Sequence, residues 1–163
     1  MTPSRDVLTG AVTVRRATPN DVAGIAALVA SWAEEDILLP RAAADVARAV
    51  DDTVVAVDAR GRVVACGGLR EYSPSLAELV SLAVARETHG RGLGRLVVAE
   101  VERLARSRGH DRLFAHTVNP AFFVAVGYEV VDRSLYPEKV ARAHTACVRR
   151  ELVAAVEAVA AAA

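Results

Sequence analysis

Apolar positions recur along this chain with two periods, and the places where one gives way to the other mark its elements. Ala11–Arg16 alternates apolar with polar, the pattern of an edge strand. Thr18-Pro19-Asn20-Asp21 follows, offering an N-cap, a proline for the first helical position and an acid three residues after the cap, so a helix starts there. Val22, Ile25, Leu28, Val29 and Trp32 then repeat at three- and four-residue steps, one apolar face for packing on a sheet. Glu34-Glu35-Asp36 break that face, residues 37–41 form a connection, and Ala43, Val46, Ala47 and Val50 predict a short second helix.

Strand character returns at Thr53. Residues 53–58 and 62–72 predict two strands joined by a turn at Asp58-Ala59-Arg60-Gly61, and Gly67-Gly68 inside the second predicts a bulge or the close approach of another group. After a break at Ser73-Pro74-Ser75 comes an apolar strand, Leu76–Ala85, then the glycine-rich run Gly90-Arg91-Gly92-Leu93-Gly94-Arg95. A helix follows, with Leu93, Leu96, Val97, Val101, Leu104 and Ala105 on one face and Arg95, Glu102, Arg103 and Arg106 on the other, ended by Gly109. Asp111–Thr117 reads as a buried strand, Asn119–Val126 as a short helix and Gly127–Val131 as a turn into another strand. Residues 1–10 read as a loose start. The alanine-rich stretch 141–163, with Val148, Leu152, Val156 and Val159 at helical steps, predicts a C-terminal helix.

Strands interleaved with helices over 163 residues predict one α/β domain, 1–163, with a mixed central sheet flanked by helices. Lys plus Arg and Asp plus Glu balance at 20 each, so no overall field draws the chain to nucleic acid or an anionic membrane, and small molecules are the expected partners. Cys66 and Cys147 are too few for a disulfide framework and lack the spacing of a zinc site, which points to a reducing cytoplasm and no metal. Residues 1–10 contain no apolar signal region, and no run approaches the roughly eighteen apolar residues of a membrane span. A homodimer is left open.

Strand, glycine turn and helix in that order make an anion site. Glycines let several N–H groups converge on one point, and the helix start adds its dipole and unpaired N–H groups. The only lysine is Lys139, far from the turn, so a P-loop is excluded; the spacing Gly90, Gly92, Gly94 does not match the dinucleotide fingerprint either. His89-Gly90-Arg91-Gly92-Leu93-Gly94 resembles motif A of the Gcn5-related N-acetyltransferases, Gln/Arg-x-x-Gly-x-Gly/Ala, with His89 as the departure. Leu82-Ala83-Val84 stands where that family has its short apolar step, and Phe122-Phe123-Val124-Ala125-Val126-Gly127-Tyr128 resembles its Phe-Tyr-x-x-x-Gly-Phe signature.

The resemblance implies acetyl-CoA as cosubstrate, without a metal. Backbone N–H groups from Gly90 to Arg95 would hold the pyrophosphate, with His89 a further donor when protonated. The Leu82 N–H would face the thioester oxygen, Val84 would pair with the pantetheine arm, and Phe123, where many relatives carry a tyrosine, would pack beside that arm. Glu78, four residues before Leu82, occupies the position of a catalytic glutamate in several members. Strand alternation puts it on one face with Val80, Leu82 and Val84 unless a bulge intervenes, and a carboxylate among apolar neighbours suits proton abstraction near neutral pH. The other possibility is an exposed glutamate at a strand end, with an ordered water relaying the proton and no unique base.

Over residues 12–150 the chain is also similar to the acetyltransferase domain of N-acetylglutamate synthases, in the segment ILLPR, the strand AELVSLAV, the paired phenylalanines and Pro137-Glu138-Lys139. That likeness makes the α-amine of glutamate the expected acceptor, Arg41 and Lys139 the cations for its carboxylates, and His116 a further substrate-binding candidate. Acetylation of another amine or of a protein N-terminus, or a CoA-binding sensor without turnover, are the alternatives.

Overall fold

The structure, a computed structural model, describes residues 7–9, 12–136 and 145–152. Its elements are β1 (Val7–Thr9), β2 (Val12–Arg16), α1 (Val22–Ala33), α2 (Ala43–Arg48), β3 (Thr53–Val57), β4 (Val63–Ser73), β5 (Leu76–Val84), α3 (Leu93–Ser107), β6 (Arg112–Thr117), α4 (Pro120–Ala125), β7 (Glu129–Val131) and β8 (Ala146–Glu151). Two compact units emerge: Met1–Leu69 with Ser81–Val101, and Arg70–Val80 with Glu102–Ala163. Elements β4, β5 and α3 contribute to both.

In the first unit the strand order is β1-β2-β3-β4-β5, and the pairs from β1 to β4 are antiparallel. The start expected to be loose forms β1, whose Val7 lies opposite Val14 of β2, because the outer edge of β2 offers peptide groups that a neighbouring strand satisfies. Val12, Val14, Val54, Val55 and Val64 of the strands are buried, as are Ile25, Leu28 and Val29 of α1, the face its periodicity marked. The turn after β3 follows its chemistry: Gly61 takes φ 81° and the Asp58 carboxylate accepts the N–H groups of Arg60 and Arg62, both at 2.9 Å. The register shift in this sheet falls at Ala56 and Val57 rather than at the glycine pair. Gly67 serves close approach instead, since a Cβ there would sit 2.8 Å from Val97 Cγ1 of α3.

The α1 start is an ion-paired capping box. Pro19–Asp21 form a 3₁₀ turn, and the Asp21 carboxylate accepts the Thr18 N–H at 2.8 Å and two bonds from Arg15 at 2.7 and 3.0 Å. Burial of Asp21 opposes its charge, but the bonds from Arg15 and Thr18 outweigh burial and hold the carboxyl below its usual 3.8.

The second unit has the order β4-β5-β6-β8-β7. β5 and β6 run parallel, with Glu78 opposite Phe114, while β8 is antiparallel to both β6 and β7. The helix expected over 141–163 is corrected here: Ala146–Glu151 is a strand. Peptide groups of β6 and β7 stand on either side of this segment, and Cys147 and Val148 are buried between them, so ladder bonds and packing outweigh a weak helical preference. Residues 137–144 and 153–163 lie outside the described residues.

Glu102 is also corrected, from an exposed helical face to the interior. Arg150 donates to both of its oxygens at 3.0 and 2.9 Å, and the Tyr128 hydroxyl donates at 3.3 Å. Burial pushes the Glu102 carboxyl up against the pull of Arg150; burial and the Glu102 charge push the Tyr128 phenol up. Among the described residues no helix is long and apolar enough to cross a membrane.

Asp21→Ala removes the cap and the acceptor for Arg15 and should lower stability by about 1 kcal/mol in denaturant unfolding at neutral pH. Because the carboxyl is depressed in the folded state, its contribution is present above 3.8 and is lost as pH falls through the folded value. The variant and the parent should therefore converge in strong acid.

Candidate active site

Each unit carries its own group of candidate residues. In the first, Arg86–Thr88 make a 3₁₀ turn after β5, closed by the Thr88 hydroxyl donating to the Ala85 carbonyl at 2.8 Å. Gly90 (φ 82°) and Gly92 (φ 73°) then hold left-handed backbone with open space where a Cβ would stand. Helix α3 opens at Leu93, and the Leu96 N–H bonds to the Gly92 carbonyl at 3.2 Å. Helical geometry therefore leaves the N–H groups of Leu93, Gly94 and Arg95 without an acceptor inside the helix. The exposed side chains of Arg91 and Arg95 flank that opening. Bare glycine backbone, first-turn donors and two guanidinium groups fit a diphosphate.

His89 is held in place within the turn. Its imidazole lies parallel to the Trp32 indole, 5.7 Å between centroids, and its Nε2–H donates to the Val84 carbonyl at 3.1 Å. The Trp32 Nε1–H donates to the same oxygen at 3.1 Å. Arg86, ion-paired with Glu35, sits 4.1 Å over the Trp32 ring. Together these groups tie the glycine turn to the end of β5 and to the last turn of α1.

Ser81 interrupts β5, with φ 53° in the middle of a strand. Period two therefore does not run from Glu78 through Leu82 to Val84; Ala77, Glu78 and Leu79 are buried in succession, while Val80, Leu82 and Val84 are half-buried. The Ser81 carbonyl accepts the Cys66 thiol at 3.4 Å, and its hydroxyl accepts Arg41 Nη1 at 3.4 Å. Arg41 also reaches the Asp45 carbonyl at 3.4 Å. The predicted Arg41 thus borders the same strand as Leu82 and Val84. Burial pushes the Cys66 thiol up to about 12, so it stays protonated.

In the second unit Glu78 is 0% exposed, which removes the strand-end alternative. The Tyr72 hydroxyl donates to its Oε1 at 2.8 Å. Phe114, its register partner, stacks on Tyr136 at 4.2 Å and 3°, with Tyr72 tilted at 6.1 Å and His116 edge-on at 5.9 Å. Cys147 of β8 lies opposite His116 of β6; burial and then the Glu78 charge push its thiol up. His116 is thus close to the Glu78 group through Phe114. Phe123 is buried edge-to-face with Phe122 and Tyr128, each at 5.2 Å, and packs within this unit. Lys139 lies outside the described residues. No three His, Cys, Asp or Glu among the described residues gather as metal ligands would.

A glycine turn opening a helix at the end of a strand, on a mixed sheet, makes an anion site that a coenzyme's diphosphate fits. The model of the acetyltransferase (GNAT) family matches residues 19–128, well over half of the chain, which belongs to that family. It is an acyltransferase whose cosubstrate is acetyl-CoA. An N-acetyltransferase of Chlorobaculum tepidum, CT2212, is 34% identical over 137 residues, 84% of this chain and 88% of that protein. The amino-acid acetyltransferase of Mycobacterium tuberculosis is 33% identical over 121 residues, 73% of this chain and 69% of that one. Among solved structures, Rv2747 from Mycobacterium tuberculosis in complex with CoA and NLQ superposes with a TM-score of 0.76 at 25% identity, over 85% of this chain and 98% of that one.

Sequence reasoning missed Trp32, which it placed in the apolar face of α1, along with Ser81 and Tyr72. For Tyr72 a signal existed. The connection between β4 and β5 is only Pro74 and Ser75, so residues a few places either side of it come together. No propensity marks a left-handed serine in a strand.

Gly92→Ala places a Cβ in left-handed backbone at a cost of about 1–2 kcal/mol. Calorimetric titration should show coenzyme A binding weakened by roughly ten-fold, with the circular dichroism spectrum unchanged.

Proposed function

We propose that this acetyltransferase acts on the α-amine of an amino acid, with L-glutamate as acceptor and arginine biosynthesis as its setting. The observation that carries the chemistry is the fully buried Glu78 carboxylate, a proton acceptor among aromatic neighbours on the strand that also supplies Leu82 and Val84. The choice of acceptor is supported by the similarity to the amino-acid acetyltransferase of Mycobacterium tuberculosis. Arg41 supports it too, because its two bonds of 3.4 Å are long enough to be exchanged for a two-pronged grip on a carboxylate. Lys139 is the second cation and His116 a further contact in this proposal.

The glycine turn and α3 hold the diphosphate through the N–H groups of Gly90–Arg95. Glu78 takes the proton of the acceptor's ammonium, directly or through an ordered water. The freed amine attacks the thioester carbonyl carbon, and the Leu82 N–H receives the oxyanion, a contribution of roughly 3 kcal/mol for a preorganised donor. The carbon–sulfur bond then breaks. A thiol with a pKa of about 8.5 leaves as its anion without a dedicated acid, so a phenylalanine at position 123 is compatible with turnover.

Purified protein given acetyl-CoA and a panel of amino acids and amines should release free thiol only with glutamate or a close analogue. Release with an unrelated amine transfers the assignment to that amine. Tight CoA binding without release favours a sensor, the second possibility, to which the missing hydroxyl at Phe123 lends weight. Glu78→Gln should lower kcat by about 100-fold or more while CoA affinity stays within about two-fold; full turnover in this variant at every pH would remove Glu78 from the mechanism.

A further inference from the structure

Three buried acids stand out. Asp21 and Glu102 each receive a guanidinium group, from Arg15 and Arg150, and each ties elements of one unit together. Glu78 receives a phenol. The Tyr72 hydroxyl donates to Glu78 Oε1 at 2.8 Å, and the ring that carries this hydroxyl is itself held on two sides. Phe114 lies 6.1 Å away at a 30° tilt and is anchored by its own stack on Tyr136, while the Arg70 guanidinium carbon stands 5.0 Å over the Tyr72 ring.

We propose that Tyr72 is a positioning residue for Glu78, fixing the carboxylate from which the acceptor's proton is taken. The proposal rests on Glu78 as the base. Both residues come from strands joined by two residues, so the geometry is built locally and survives small movements elsewhere. A hydroxyl donating to a carboxylate oxygen makes a short bond and selects one side-chain rotamer, which keeps the base aimed. Around this carboxylate, among the described residues, stand Tyr72 from β4, Phe114 and His116 from β6, Cys147 from β8, and Tyr136 stacked on Phe114. Proton balance is simple: the ammonium proton passes to Glu78 and then to solvent, and Tyr72 keeps its own proton throughout.

Steady-state kinetics on the full chain test this with Tyr72→Phe, which removes one oxygen and keeps the ring. Turnover should fall roughly ten-fold. The KM for acetyl-CoA should stay within about two-fold. Placed on Glu78→Gln, the same substitution should cost nothing further, because both changes disable one device. Tyr72→His keeps a ring and an N–H donor; assayed at about pH 8, where its imidazole is neutral, it should recover part of the turnover lost in Tyr72→Phe. Unchanged turnover in folded Tyr72→Phe, with Glu78→Gln slow, would overturn the role of Tyr72 and leave Glu78 standing. Should Tyr72→Phe fail to fold, a folded Tyr72→His with no better turnover than Glu78→Gln would overturn it as well. Wild-type turnover in Glu78→Gln would remove the base itself.

Discussion

One serine in left-handed backbone sits in the middle of the strand that matters most. A non-glycine residue at φ 53° inside a β-strand costs on the order of 1–3 kcal/mol and persists only where neighbours over-determine it. Ser81 has such neighbours: Cys66 donates to its carbonyl and Arg41 to its hydroxyl. The consequence is that β5 changes character along its length. Its first half buries three residues in succession, among them a carboxylate, and its second half keeps Leu82 and Val84 half-buried. A strand with unbroken alternation would have placed Glu78 by parity alone.

The same economy governs the coenzyme turn. An exposed histidine between a 3₁₀ turn and two open glycines would be free to swing, yet its ring is stacked on Trp32 and its Nε2–H ends on the Val84 carbonyl. The indole N–H ends on that oxygen too. A carbonyl with two lone pairs and two donors is satisfied, so β5 terminates without an orphaned acceptor and the turn leaves it at a set angle. What remains for a ligand is the opposite polarity: N–H groups at the start of α3 and the arginines beside them. The acceptor is used internally while helical geometry leaves the first-turn donors open, a polarity that suits an anion.

Buried charge is handled in two ways in this chain, and the difference tracks purpose. Asp21 and Glu102 meet arginines in geometries that lock a helix start and the β8 strand, where removing a partner would strand a charge in the interior. Glu78 sits instead among aromatic rings with a phenol on one oxygen.

Much of this was legible in the linear chain. Periodicity set α1, the β3–β4 turn and α3, because a single helical face or a left-handed glycine is a local matter of a few neighbouring residues, and the glycine run before α3 marked a left-handed turn at a helix start for the same reason. Tertiary structure decided the rest. The β8 strand depends on open ladders at β6 and β7, which lie far away in sequence and override a weak alanine preference. Ser81 depends on Arg41 and Cys66, His89 on Trp32, and Glu78 on Tyr72 and Phe114. Each of these is a side chain whose role is settled by a partner, and partners are brought together only by the folded sheet.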